Sequence, residues 1–233
     1  VLVSPYYSDN FTEKPREIDI IAERHFSVSD PGLGFFGHIA VRLFIECKYV
    51  AGTTVFWFDA KDVDRAAERV TRDTGWEDPR RTGIGKTHHH LAAVPVAKLV
   101  ASEGSRSDDY EAISRAINQN LNALVYYRLH TRPLALGNEH RIKQLGRLLY
   151  PLIVVNAFDN FYATDLSTAA TPIPITQPFQ LEVNYAYTDR DRNGLNEYFL
   201  IDVVNIDGLQ AFLSNLEESD VGAMSHAISL LRR

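Results

Sequence analysis

The sequence predicts an α/β protein, a central mixed β-sheet flanked by helices. Three observations predict it. Short apolar or alternating runs recur at 39–50, 54–58 and 148–158, and as a pair on either side of DRDRNG, each bounded by turn residues. Two stretches of helical period, 59–73 and 107–129, lie among them, and a third, 207–232, closes the chain. No repeat, low-complexity tract or linker divides the 233 residues, so one domain over 1–233 is expected. The opening VLVSPYY has no Met, which leads us to expect that an upstream element is missing.

In chain order, residues 1–7 and 16–24 read as strands joined by the polar turn SDNFTEKP. DPGLGFFG, 30–37, is a glycine-rich loop leading into the strand IAVRLFIECKYV, 39–50, and TVFWF follows at 54–58. In 59–73, Val63, Ala66, Ala67 and Val70 recur at helical spacing among charges. Residues 74–90 are polar and read as loop. In LAAVPVAKLVA, 91–101, Pro95 argues against a long helix or a central strand. The strongest helix is 107–129: Ser107 with the acids after it marks the start, and Ile113, Ala116, Ile117, Leu121, Leu124 and Val125 make the apolar stripe. LYPLIVVNAF and NFYATDL read as a buried strand and its neighbour. QPFQLEVNYAYT and NEYFLIDVV read as a hairpin.

Apolar residues at 45% and charged residues at 23% suit a globular chain with a sizeable core. A net charge of -6 excludes an all-round basic surface but leaves room for a local basic stripe. Cys47 is the only cysteine, which excludes an intrachain disulfide and a thiolate zinc cluster and fits a reducing cytoplasm. No run reaches the roughly 18 apolar residues of a membrane span, so no membrane partner is expected.

The segment LFIECKYV carries the chemistry. Residues two apart on a strand share a face, so Glu46 and Lys48 lie side by side, opposite Ile45, Cys47 and Tyr49. Upstream, in REIDIIAER, the same alternation puts Glu17, Asp19 and Glu23 on one face. If the two strands are neighbours, Asp19 comes to lie beside Glu46. Two close carboxylates repel, and a divalent hard cation resolves the conflict. Such a cation, with Lys48 beside it to orient water or steady negative charge, suits phosphodiester hydrolysis. The alternative is a solvent-face ion pair on a half-exposed strand.

The pairing of EID with Glu46-Cys47-Lys48 resembles the PD-(D/E)XK nuclease superfamily, the restriction-endonuclease-like fold, and within it the Mrr-like branch. The resemblance covers about residues 15–50. It implies an α/β/α sandwich and a Mg²⁺- or Mn²⁺-dependent endonuclease with Asp19, Glu46 and Lys48 as catalytic residues. Asp19, Glu46 and the Cys47 backbone carbonyl would hold the metal, with Glu17 and Gln119 auxiliary. The further acid that such families often carry on an upstream helix has no counterpart here. DNA is the expected substrate ahead of RNA, in defence or in DNA repair and processing, with a homodimer or a partner protein as the working assembly. Arg65, Arg69, Arg72, Arg80, Arg81 and Lys86 form the densest basic region and are the expected nucleic-acid contacts. The rival readings are a binding or assembly module with a decayed site and an RNA-processing nuclease.

Three weaker signals are set aside. GIGKT, 83–87, lacks the earlier P-loop glycine, since position 80 is Arg80. DRDRNG has calcium-loop spacing, but Leu200 stands at the twelfth position and strands flank it. Adjacent His88, His89 and His90 do not converge on one ion without a bend, and a solvated loop is their expected setting.

Overall fold

Along the chain, β1 (Leu2–Val3), β2 (Tyr6–Ser8), β3 (Pro15–Glu17), β4 (Ile20–Asp30), β5 (Gly34–Lys48) and β6 (Thr54–Asp59) precede helix α1 (Val63–Thr74). A 3₁₀ turn, His89–Leu91, leads to β7 (Val96–Ser102) and helix α2 (Asp108–Leu129). Then come β8 (Gln144–Val155), β9 (Phe161–Asp165), β10 (Ile173–Pro174), β11 (Phe179–Thr188) and β12 (Gly194–Asn205). The chain closes in α3 (Leu209–Leu216) and α4 (Gly222–Leu230), joined by a π-helical turn, Glu217–Val221. The computed structural model describes residues 1–10, 12–30, 34–74, 88–102, 108–129, 144–166, 170–189 and 192–230.

Ten strands form one mixed sheet in the order β1-β4-β5-β8-β12-β11-β7-β6-β9-β10, and β2 and β3 pair separately. At its centre β5, β8 and β12 run parallel, flanked by the antiparallel pairs β4/β5 and β11/β12. Parallel neighbours are buried on both faces, which explains the unbroken apolar run of β8. On β5 the alternation divides two cores. Phe44 points to the α2 side, with Ile21, Leu121, Leu124 and Ile153. Val41, Leu43 and Ile45 point to the other side, where Leu216, Val221 and Met224 of the C-terminal helices cover them. Through Ala66, Ala67 and Val70, α1 packs on Tyr198 and Leu200 of β12. The observed class is the expected one, α/β with helices on both faces of a large mixed sheet.

Several local readings change. The glycine-rich stretch before residue 39 is strand from Gly34 onward, and Gly34 has φ 80°, a left-handed value that favours glycine. The Pro95 segment is neither helix nor loop throughout: the proline precedes β7, where its missing N–H costs no ladder bond. Asp19 is not inside a strand but in the break between β3 and β4. Ser107 and the GIGKT segment lie outside the described residues. No described helix is long and apolar enough to cross a membrane.

Pro151 is the unexpected residue of β8, since a central strand has no place for a residue lacking N–H. It sits opposite Phe44 of β5. Fully buried Asn120 of α2 compensates, its amide donating to the carbonyls of Phe44 and Leu152 at 2.8 Å each. Asn120→Ala strands both carbonyls at about 1–3 kcal/mol apiece. The urea midpoint should therefore fall by the equivalent of at least 2 kcal/mol or so with an unchanged m-value. An unshifted midpoint would show that the amide does not support the ladder.

Candidate active site

Glu46 and Lys48 occupy the last residues of β5, at the carboxyl end of the three parallel strands, the region where open α/β sheets place their ligands. Both share the α2 side with Phe44 because no bulge interrupts the alternation between them. The ladder of β4 with β5 starts at Ile20 opposite Ile45, so Asp19 stands one residue beyond it. Its side chain extends the ladder: Asp19 Oδ2 accepts the Cys47 N–H at 2.7 Å. Asp19 itself is fixed by its carbonyl, which accepts the Ser4 N–H at 2.8 Å.

The three charged groups meet as the alternation requires. Lys48 Nζ donates to Glu46 Oε2 at 2.6 Å and lies 3.8 Å from Asp19 Oδ2, so one ammonium bridges two carboxylates. The environments differ. The Glu46 side chain is 0% exposed, Lys48 18% and Asp19 41%. Burial pushes the Glu46 carboxyl up to about 7, against the pull of the Lys48 ammonium; the Asp19 charge adds to the rise while the Asp19 backbone N–H opposes it. Burial and the nearby acids Asp19 and Glu46 also raise the Cys47 thiol. Among the described residues, Glu46 Oε1 is buried with no side-chain hydrogen-bond partner.

That orphaned oxygen is the feature a hard divalent cation would satisfy. Mg²⁺ needs only one or two carboxylates, completed by water and substrate phosphate, and Asp19 with Glu46 supply two. The donor set therefore fits Mg²⁺ or Mn²⁺, with Glu46 and Asp19 as the holding side chains.

The auxiliary residues are placed differently from the sequence expectation. Glu17, Asp19 and Glu23 do not share a strand face. Glu17 is on β3, in the small separate sheet, and its carbonyl accepts from Gln119 Nε2 at 3.3 Å. Gln119 thus steadies the crossover into Asp19; among the described residues no hydrogen bond joins it to Glu46. Glu23 lies on β4 and is bound by Arg42 Nε at 2.7 Å and His25 Nε2 at 2.8 Å.

The basic strip also divides. Arg69 is buried, 2.6 Å from Glu197 Oε1 and stacked over Phe199, so it cannot meet a nucleic-acid backbone. Arg128 joins it on Glu197 at 2.7 Å, and Arg72 at 2.9 Å. Burial opposes a charged Glu197, yet Arg128 and Arg69 hold its carboxyl down to about 2. Arg65 lies over the Tyr198 ring, which leaves Arg72 as the exposed member of the three. Arg80, Arg81 and Lys86 lie outside the described residues. A cavity of about 450 Å³ brings Arg16 and Arg115 together with Asp9, Asn118 and Gln119, beside the crossover that carries Asp19, and Arg16 Nε lies 3.3 Å from Asp9 Oδ2.

Sequence reasoning undervalued the histidines. The 3₁₀ turn supplies the bend, and His88 and His90 are buried, not solvated. His89 lies between Asp220 and Asp202, contacts that hold it protonated up to about 10 although burial opposes the charge. Both partners are distant in sequence, 131 and 113 residues from His89, so no local spacing could have announced them.

The chain matches no family model, and no curated protein or solved structure is significantly similar to it.

Proposed function

We propose that the chain is a cytoplasmic metal-dependent endonuclease that hydrolyses phosphodiester bonds of DNA at Asp19, Glu46 and Lys48. The observation that carries this reading is Glu46, a fully buried carboxylate with one oxygen on Lys48 and, among the described residues, no side-chain partner for the other. A buried charge half-satisfied at a sheet's carboxyl edge is costly for a structural pair and useful for a cation site. Bound between Glu46 and Asp19, Mg²⁺ or Mn²⁺ would supply Lewis-acid polarisation of the phosphoryl group and help to ionise the attacking water. Lys48 carries positive charge to the phosphate oxygens and orients that water. Asp19, fixed by its bond from Cys47, keeps its carboxylate at the open side of the site.

Glu46 must be ionised to hold a cation. At subsaturating Mg²⁺, cleavage is therefore expected to rise with pH up to about 7 and then level off, falling about tenfold per pH unit on the acid side. Saturating Mg²⁺ should move that midpoint to lower pH. A flat profile between about pH 6 and pH 8 would contradict the role given to Glu46.

One observation favours a second reading. Lys48 already bridges both carboxylates, as in a site that has lost its metal and become a binding module. Incubation of matched single-stranded and duplex DNA and RNA with Mg²⁺, followed by end-group analysis, separates the readings. DNA products with 5′-phosphate ends support the proposal, RNA products alone mark an RNA-processing enzyme, and binding without products marks the module.

A further inference from the structure

On the sheet face opposite Glu46, we infer that His89, His90 and Asp202 form a second metal site, one for a transition-metal ion of the Zn²⁺ type. Three donor atoms converge there: Nε2 of His89 and Nε2 of His90 lie 3.1 and 3.0 Å from Asp202 Oδ2. All three lie within 4.8 Å of one another. Zn²⁺ takes imidazole nitrogen and carboxylate oxygen at about 2.0–2.2 Å, so donors spaced roughly 3 Å apart can close around one ion. Mg²⁺ and Ca²⁺ prefer all-oxygen shells, which makes this set distinct in kind from Asp19 and Glu46.

Adjacent histidines reach a common point only because the chain bends. The 3₁₀ turn supplies the bend, and buried Lys61 fixes it by donating to the carbonyls of His90 at 3.1 Å and Ala92 at 2.9 Å. The groups behind the donors are those that metal sites use. A ligating imidazole gives its other N–H to a carboxylate, and His89 Nδ1 lies 2.5 Å from Asp220 Oδ2. Tyr150 Oη donates to that same oxygen at 2.6 Å, and Gln180 Nε2 donates to the remaining Asp202 oxygen at 3.1 Å.

His88 and Asp220 also approach His89, yet they serve as supports. The Asp220 oxygens already accept from Tyr150, Ser219 and the His89 backbone, and His88 Nδ1 accepts the His90 N–H at 3.2 Å. Asp202 and Asp220 bring two buried carboxylates to this pocket. The ion would fasten the His88–Leu91 turn to β12, with Asp220 linking the C-terminal helices to it.

The test titrates full-length Glu46→Gln protein with Zn²⁺ against a chromophoric chelator, so that the Glu46 site does not contribute. One Zn²⁺ per chain is expected, lost in His90→Ala and weakened about 10–100-fold in Asp220→Asn. If His90→Ala fails to fold, Co²⁺ loaded into the parent protein decides. Intense visible bands of a four- or five-coordinate imidazole site support the proposal. No bound Zn²⁺, an unchanged titration in folded His90→Ala, or the weak bands of a six-coordinate oxygen site would overturn it.

Discussion

Lys48→Ala is expected to lower metal-dependent cleavage by roughly a hundred- to a thousand-fold, the cost typical of removing one preorganised donor from a developing charge. The fold should persist, because Lys48 is the last residue of β5 and enters the ladder with β8 through its backbone. Its loss also removes an ammonium within reach of both carboxylates, leaving Glu46 Oε2 as exposed to the desolvation cost as Oε1 already is. Glu46 should then hold its proton more tightly, and the apparent Mg²⁺ requirement at neutral pH should rise. Steady-state assays across Mg²⁺ concentrations separate the two effects: the metal effect is relieved at high Mg²⁺ and at higher pH, and the loss of phosphate stabilisation is not. Cleavage at the wild-type rate would remove Lys48 from the mechanism.

Metal-free Glu46→Gln is expected to be more stable than the wild type above neutral pH. Burial raises the folded-state carboxyl from 4.5 to about 7, so the folded protein binds this proton more tightly than the unfolded chain does. The stabilisation from the bound proton is full below about 4.5 and is lost as pH rises through about 7. The loss across that window is on the order of 3 kcal/mol. Glutamine keeps the shape without the charge, so its stability should vary far less with pH. Denaturant melts at about pH 5 and about pH 8, with and without Mg²⁺, check this. Mg²⁺ at the higher pH should restore the wild type and leave the variant unmoved. Parallel pH dependence in both proteins would show that Glu46 is not the destabilising group.

What the sequence disclosed follows from the range of the interactions involved. Strand alternation is local, so the common face of Glu46 and Lys48 and the stripe of α2 could be read directly. Asp19 was assigned to the site but for an incomplete reason. Alternation along one strand predicted its placement, whereas the chain in fact leaves the small sheet at Glu17 and enters the large one at Ile20, with Asp19 in between. Pro95 marks a strand entrance, and Pro151, inside the run correctly read as a buried strand, is tolerated because Asn120 of α2 supplies hydrogen bonds in its place. Arg69 reads as part of a surface strip because it stands in the densest basic region of the sequence. Its partner Glu197 lies 128 residues away and draws it inside. The histidine cluster escaped for the same reason, since its carboxylates come from β12 and the π-helical turn.

The most direct measurement is cleavage of supercoiled plasmid by wild type, Asp19→Ala and Lys48→Ala in Mg²⁺ or Mn²⁺, with a chelator control. Nicked or linear plasmid is expected from the wild type, abolished by the chelator, with both variants folded and cutting far more slowly. Folded wild-type protein that leaves the plasmid intact, or variants that cut as the wild type does, would contradict it.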